Sequence, residues 1–166
     1  MELRQMATAF IFHQDNVLMI KKSPNKFSDV EFWSGLGGHL EPHELNDPMR
    51  ACLREIYEES GIEESEIHDL KLRYILLRIK NDEIRQQYVY FGNTDQTQFI
   101  NSEEGELHWI PSQALLGLHM SSIIRFMLYH FLETPNNTGM LVGTITLDSD
   151  ERPAIQWAVL TDPHVF

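Results

Sequence analysis

Three glutamates, Glu55, Glu58 and Glu59, are spaced so that they would share one arc of an α-helix. At about 100° per residue, positions three and four apart fall on the same side of a helix. Carboxylates that lie so close repel one another and raise one another's pKa values unless a cation compensates. Hard oxygen ligands suit Mg²⁺ or Mn²⁺, and Mg²⁺ is often shared with substrate phosphates. The spacing therefore predicts a divalent metal site for a phosphorylated ligand.

Residues just before these glutamates would complete such a site. Gly37-Gly38 lets the backbone approach closely, so that a main-chain carbonyl there would complete the coordination sphere. Arg54 is placed to hold a neighbouring glutamate by paired hydrogen bonds. A bound metal would neutralise charge on a diphosphate and lower the pKa of a coordinated water. Hydrolysis of a diphosphate linkage is the reaction that follows.

The segment from Gly37 to Ile62 resembles the Nudix box, whose usual form is Gly, five residues, Glu, seven residues, Arg-Glu-aliphatic-any-Glu-Glu-any-Gly-aliphatic. The chain departs from this form because nine residues separate Glu44 from Arg54. We assign the two additional residues, Leu45-Asn46, to the loop before the helix. His43 stands where the family commonly has Gly, and Leu36 where many members have Pro.

The resemblance implies roles for two sets of residues. A carbonyl of Gly38 would bind the metal together with a set of carboxylates, and two further side chains would orient those carboxylates. The family often adds a downstream glutamate as base or ligand, and Glu103, Glu104 and Glu106 are placed for this. The implied ligands are Gly38, Glu55, Glu58, Glu59 and either Glu104 or Glu106, and the orienting residues are Arg54 and Glu44.

A helix from about Pro48 to Ser60 is expected to carry the glutamates. Asn46-Asp47 supplies a cap before Pro48, and Gly61 supplies the stop. Met49, Leu53 and Ile56 recur at helical spacing and predict the face that packs on a sheet, which leaves the other face for chemistry.

The remaining chain predicts strands and one more helix. We expect hairpins at Ala7–Phe12 with Val17–Ile20, at Leu70–Lys80 with Ile84–Phe91, and at Met140–Leu147 with Ala154–Leu160, a strand at Leu107–Ile110, a helix from Ser121 to Pro135, and an irregular loop between Lys21 and Gly38. This order predicts an α/β (α+β) fold, which the resemblance specifies as a Nudix-type α/β/α sandwich with a mixed β-sheet between helices. Residues 1–166 would form a single domain.

Composition narrows the partners. The 166 residues carry a formal net charge of -12, which argues against binding to a nucleic acid polymer. The single Cys52 cannot form an internal disulfide, so a cytoplasmic location is expected, and it is predicted to fill the core. The apolar run from Met6 to Phe12 is too short to cross a membrane. A homodimer is compatible with the apolar late helix and terminal hairpin.

The segment before the glycine pair is expected to contact the substrate. The run from Trp33 to Gly38 resembles the MutT-like branch of the family, which hydrolyses oxidised purine nucleoside triphosphates such as 8-oxo-dGTP. Phe27, Trp33 and Ser34 would read the base, although aromatic side chains here could equally cover a core edge. His39 and His43 are expected to be exposed loop residues and not zinc ligands, because nothing completes a tetrahedral set.

The leading hypothesis is an Mg²⁺- or Mn²⁺-dependent pyrophosphatase that releases monophosphate and diphosphate from a nucleoside triphosphate. A second hypothesis keeps the metal chemistry but assigns a sugar nucleotide or dinucleoside polyphosphate as substrate. A third is a nucleotide-binding sensor without turnover, against which the intact glutamate set argues.

Overall fold

The computed structural model of the protein describes residues 1–24 and 30–164. Two α-helices and nine strands are found in this part of the chain. The helices are α1 (Pro48–Ser60) and α2 (Ser122–Glu133). The strands are β1 (Glu2–His13), β2 (Asn16–Lys22), β3 (Phe32–Ser34), β4 (Leu36–His39), β5 (Ile67–Lys80), β6 (Glu83–Thr94), β7 (Glu106–Pro111), β8 (Leu141–Leu147) and β9 (Pro153–Val159).

All nine strands join one mixed sheet. Its main order is β3-β2-β1-β6-β5-β8-β9, while β4 pairs with β1 and β7 pairs with β2. The pairs β1–β6 and β5–β8 are parallel, and the other pairs are antiparallel. Strand β1 therefore lies at the centre and touches three neighbours.

One helix covers each face of this sheet. Ala51, Cys52 and Ile56 of α1 pack with Ala7, Ala9 and Ile11 of β1 in one hydrophobic core. Helix α2 packs on the opposite face of the sheet and forms a second core with side chains of β1, β5 and β6. This α2-side core contains Ile123, Ile124, Met127 and Leu128 of the helix and Phe10, Leu76, Val89 and Phe91 of the strands. The predicted mixed sheet between helices is confirmed.

Helix α1 begins and ends at the predicted residues. The Asp47 carboxylate accepts a hydrogen bond from the Arg50 N–H at 3.2 Å, which caps the first turn. Gly61 ends the helix in the left-handed region, with a φ of 75°, and its N–H donates to the Tyr57 carbonyl.

The buried face of α1 differs from the prediction. Leu53 is only half-buried, whereas Glu59 and Ser60 are buried beside Cys52 and Ile56. At about 100° per residue Glu59 falls between Ala51 and Cys52 on the helical wheel. The packing face and the carboxylate face therefore overlap and are not opposite each other. Cys52 is fully buried, as expected of a core residue.

The segment between Lys21 and Gly38 was expected to be irregular, and this was wrong where β3 and β4 form. Strand β4 pairs antiparallel with β1, with Gly37 opposite Thr8 and Gly38 opposite Ala7. A strand this short and glycine-rich gives little local signal, and its partner supplies the reason for it. The predicted hairpins, the strand at Leu107–Ile110 and the late helix are present. Strand β1 begins five residues before the expected Ala7, and the other bounds differ by three residues or fewer.

Neither helix in the described ranges is long and apolar enough to cross a membrane.

Candidate active site

The side chain of Glu59 links α1 to β4. Its Oε1 atom accepts a hydrogen bond from the Gly37 N–H at 2.7 Å. Its Oε2 atom is buried and has no hydrogen-bond partner in the described part of the chain. The residue is only 2% exposed. A buried carboxylate oxygen without a donor is costly unless a cation or a proton reaches it.

The two glycines of β4, Gly37 and Gly38, form a cradle that lies close to the neighbouring strand and to the acidic helix. A Cβ atom on Gly37 would lie 2.1 Å from the carbonyl oxygen of Ala7, and one on Gly38 would lie 2.4 Å from Oε1 of Glu55. The backbone of Gly38 therefore lies directly against the Glu55 carboxylate, a close approach that glycine permits.

Arg54 connects the acidic residues. Its Nε and Nη2 atoms donate to the two oxygens of Glu44 at 2.8 and 3.0 Å. Its Nη1 atom donates to Glu55 at 2.8 Å and to Glu58 at 3.1 Å. Its Nη2 atom also reaches the carbonyl of His39. One guanidinium thus holds three carboxylates and the end of β4 in fixed relative positions.

The acidic residues differ in burial and in charge state. Glu44 is 1% exposed, and the Arg54 hydrogen bonds lower its pKa to about 2. Burial raises the pKa of Glu59 to about 7, against the opposing effect of the Gly37 hydrogen bond. Burial also raises the pKa of Glu55, although Arg54 counteracts it. The side chain of Glu58 is 54% exposed. Two of the three helix carboxylates are thus destabilised as anions, which is the situation that a bound cation would relieve.

The downstream glutamates separate into two environments. The negative charge of Glu104 contributes to the raised pKa values of both Glu55 and Glu59, so Glu104 lies on the same side as the helix carboxylates. Glu106 instead forms an ion pair with Lys21 at 3.2 Å and contacts His108 at 3.5 Å. The structure therefore brings Glu104, and not Glu106, towards the acidic helix.

The two residues inserted before the helix leave this arrangement intact. Leu45 and Asn46 are exposed and form a turn between a 3-10 turn at Pro42–Glu44 and α1. Because the extra residues bulge into solvent, Glu44 still reaches Arg54 from the neighbouring turn.

A second acidic group lies beside this turn. Glu41, His43 and Glu44 bring one ligand atom each within 4.8 Å of one another, a spacing compatible with a divalent ion. Both oxygens of Glu44 already accept hydrogen bonds from Arg54, however, and Oε2 also accepts from the Glu41 N–H. A metal held here would therefore compete with Arg54 for the Glu44 carboxylate.

Trp33, one of the residues expected to read the base, lies at the edge of the α2-side core. Trp33 is half-buried, packs against the α2-side core and meets the ring of His108 edge-on at 5.4 Å between centroids. Ser34 is also half-buried, and its hydroxyl donates to the Gly35 carbonyl. The contacts of Trp33 are those of a residue that covers a core edge. Phe27 lies outside the described residues.

Sequence reasoning missed Lys22, a cation whose charge acts on Glu59. The charge of Lys22 lowers the pKa of Glu59 and partly opposes the effect of burial. The alternation of β2 could have predicted this position of Lys22. Leu18 and Ile20 belong to the α1-side core, and every second residue of a strand shares one face, so Lys22 lies on the α1 side as well.

The raised pKa of Glu59 predicts a pH dependence of stability in the metal-free protein. The pKa of this group is about 7 in the folded chain and 4.5 in its unperturbed state. The folded state therefore binds more protons between these values, and the free energy of unfolding should fall as the pH rises through them. At about 1.4 kcal/mol per pKa unit, the loss would be roughly 3 kcal/mol.

Urea unfolding with a chelator at pH 5 and pH 8 would measure this loss. Glu59→Gln removes the titrating group, so its stability should change much less over the same range. An equal pH dependence in the variant and the wild type would show that Glu59 is not the group responsible.

Comparison with known proteins places this site in a family. The family model described as NUDIX domain matches residues 3–131. No curated protein matches the sequence significantly. A MutT protein from Bacillus halodurans has a similar structure, with a TM-score of 0.70 at 19% identity over 96% of this chain and 99% of that one. A MutT protein from Methanosarcina mazei Go1 gives 0.68 at 18% identity over 82% and 97%. An Ap4A hydrolase from C. elegans gives 0.66 at 16% identity over 80% and 97%.

The chain belongs to the NUDIX family, and it is a hydrolase that acts on diphosphate bonds. The family predicted from the Gly37–Ile62 segment is confirmed.

Proposed function

We propose that this enzyme is a metal-dependent nucleoside triphosphate pyrophosphatase, which releases a nucleoside monophosphate and diphosphate by attack of water at phosphorus. The observation that carries the proposal is the cradle at β4, where Gly38 lies against Glu55 and Glu59 keeps one buried oxygen without a donor. Similarity to two proteins named MutT supports the triphosphate as substrate. A purine damaged by oxidation, as in 8-oxo-dGTP, is the narrower proposal for the base.

The residues present fit a divalent metal, for which we propose Mg²⁺ or Mn²⁺. Oxygen ligands are gathered, two of them on carboxylates that burial destabilises as anions. When bound, the metal would supply positive charge that offsets the charge of the diphosphate. We assign its ligands to the Gly38 carbonyl, Glu55, Glu58, Glu59 and Glu104.

The other residues of the site would act by positioning. Arg54 holds Glu44, Glu55 and Glu58, and so fixes the helix carboxylates relative to β4. Gly37 orients the Glu59 carboxylate through its N–H. The charge of the exposed Glu104 acts on both Glu55 and Glu59, which supports its assignment as a ligand with them. Trp33 and Ser34 would contact the base, and Phe27 remains a prediction for the same role.

A substrate panel tests the proposal. Purified protein would be given dGTP, 8-oxo-dGTP, a sugar nucleotide and a dinucleoside tetraphosphate, with Mg²⁺ or with a chelator. The expected result is metal-dependent release of monophosphate and diphosphate from the triphosphates, with ¹⁸O from labelled water in one product. Release of orthophosphate, or turnover that persists with the chelator, would contradict it.

A second candidate substrate follows from the Ap4A hydrolase similarity. Turnover of the dinucleoside tetraphosphate in preference to both triphosphates would favour that candidate. Binding without turnover across the whole panel would favour a sensor.

A further inference from the structure

Three arginines stand side by side across three neighbouring strands. Arg4 of β1 is in register with Arg85 of β6, and Arg85 is in register with Arg78 of β5. Side chains at one register position point to the same face of a sheet, and every second residue along a strand shares that face. Phe10 is an even number of residues from Arg4, and Val89 is an even number from Arg85, so each shares a face with its arginine. Both Phe10 and Val89 belong to the α2-side core. The arginine row (Arg4, Arg78 and Arg85) therefore stands on the α2 side.

The charges of the arginine row are not balanced. Glu83 pairs with Arg4 at 2.5 Å and with Arg85 at 3.2 Å. The guanidinium group of Arg78 has no hydrogen-bond or ion-pair partner within residues 1–24 and 30–164. Three guanidinium groups thus face one carboxylate, in a protein whose net charge is -12. Since the rest of the protein is acidic, this local excess of positive charge is a specific feature of the row.

Arg78 is half-buried beside a groove that a ligand can enter. The groove has a volume of about 490 Å³. Arg78 is the member of the row that lines it, and the other lining residues are two polar ones, Ser122 and Thr146, and the apolar Ile79, Ile123, Ile145, Leu147 and Pro153. Burial, and then the charge of Arg85, lowers the pKa of Arg78. A guanidinium that loses hydration and gains a cationic neighbour is stabilised when an anion completes its hydrogen bonds.

The arginine row lies on the sheet face opposite to the cradle, near the end of β4 that follows Gly38. Gly38 is in register with Ala7, and Arg4 is three residues further along the same strand, or about 10 Å at ~3.4 Å per residue. His39 follows Gly38, and after burial the charges of Arg4 and Arg85 are the main effects that lower its pKa. The positive field of the row thus reaches the residue beside the cradle.

We propose that Arg4, Arg78 and Arg85 form a phosphate-binding subsite, which takes a phosphate group other than the diphosphate that is cleaved. The assignment of this additional phosphate to the substrate rests on the function proposed above. The preferred substrates would then be nucleotides with a further phosphate, on the ribose or in a second nucleotide. A neutral base alone would leave the charge of the row uncompensated.

Binding of inorganic phosphate to the metal-free protein tests the subsite directly. Thermal unfolding would be followed with a chelator present, over a range of phosphate concentrations at constant ionic strength. Phosphate should stabilise the wild type. Arg78→Gln should weaken phosphate binding about 10-fold or more, because it removes a charged hydrogen-bond donor. Arg152→Gln removes an arginine from the exposed β8–β9 turn and should bind phosphate as the wild type does.

An unchanged phosphate affinity in Arg78→Gln would overturn the proposal. Arg78 has no acceptor in the described chain, so this variant should fold. If Arg78→Gln does not fold, phosphate binding would be measured in Arg78→Lys instead. Lysine keeps the positive charge but lacks the planar guanidinium with its paired donors, so this variant should also bind phosphate more weakly. Phosphate binding in the presence of a chelator does not require turnover, so this result stands even if the proposed pyrophosphatase activity is absent.

Turnover of a matched pair of nucleotides identifies the source of the phosphate. Guanosine 5′-triphosphate and its 3′-phosphorylated derivative differ only in the additional group. A kcat/KM preference of about 10-fold for the derivative, lost in Arg78→Gln, would place the phosphate on the substrate. Equal kcat/KM values, with phosphate binding that still depends on Arg78, would support a subsite for free phosphate.

Discussion

Glu58→Gln is expected to lower kcat by about a thousandfold, equivalent to about 4 kcal/mol of transition-state stabilisation. The substitution removes one anionic oxygen ligand from the proposed metal site and leaves the shape of the side chain nearly unchanged. The side chain of Glu58 is 54% exposed and is reached by only one Arg54 hydrogen bond in the described structure. Folding should therefore be preserved, so that the loss is one of chemistry.

A matched control makes this result specific. Glu133 is an exposed glutamate at the end of α2, and Glu133→Gln should leave kcat unchanged. Activity would be measured at saturating Mg²⁺ with the best substrate of the panel, and folding by circular dichroism. Full activity in Glu58→Gln would show that this carboxylate is not a metal ligand.

Arg54→Gln is expected to lower the free energy of unfolding by about 3–5 kcal/mol, the usual cost of removing one partner from a buried ion pair. The carboxylate of Glu44 is 1% exposed, and both of its oxygens accept hydrogen bonds from Arg54. Without the guanidinium, a buried anion would be left uncompensated. The variant should also lose activity, because Glu55 and Glu58 lose the group that positions them.

The stability contributed by the Arg54–Glu44 pair should depend on pH. Arg54 lowers the pKa of Glu44 to about 2 from 4.5, so the pair stabilises the fold fully above about pH 4.5 and loses this effect as the pH falls towards 2. Urea unfolding at pH 7 and pH 3 would show a smaller difference between wild type and variant at the lower pH. In Arg54→Gln/Glu44→Gln the stability loss should be smaller than in Arg54→Gln alone. Equal losses would mean that Glu44 does not cause the effect.

The ends of α1 were predictable from sequence because local chemistry determines them. The Asp47-Pro48 pair and Gly61 act within one helical turn, and the structure has the expected cap and stop. The overlap of the buried and acidic faces was not predictable in this way. Glu59 is buried because β4 lies against α1, and β4 is held in place by pairing with β1.

Pairing between strands that are distant in sequence explains the other features that could not be predicted from the sequence. The arginine row depends on the register of β1 with β6 and of β6 with β5, which the separate sequence patterns of these strands do not determine. Glu104 and Glu106 were equally plausible because they are close in sequence. They were separated by the position of β7 beside β2, where Glu106 is opposite Lys21.

The central position of β1 also bears on how the active site is assembled during folding. Thr8 is hydrogen-bonded to Gln87, 79 residues later in the chain, and the parallel β1–β6 ladder consists of such distant pairs. Contacts of this separation form slowly, because a long loop must close before they contribute. During synthesis, the β1–β6 ladder therefore cannot form until β6 has emerged from the ribosome, although the acidic helix and β4 are made earlier. The catalytic pocket is thus expected to mature late, after the chain has been made through β6.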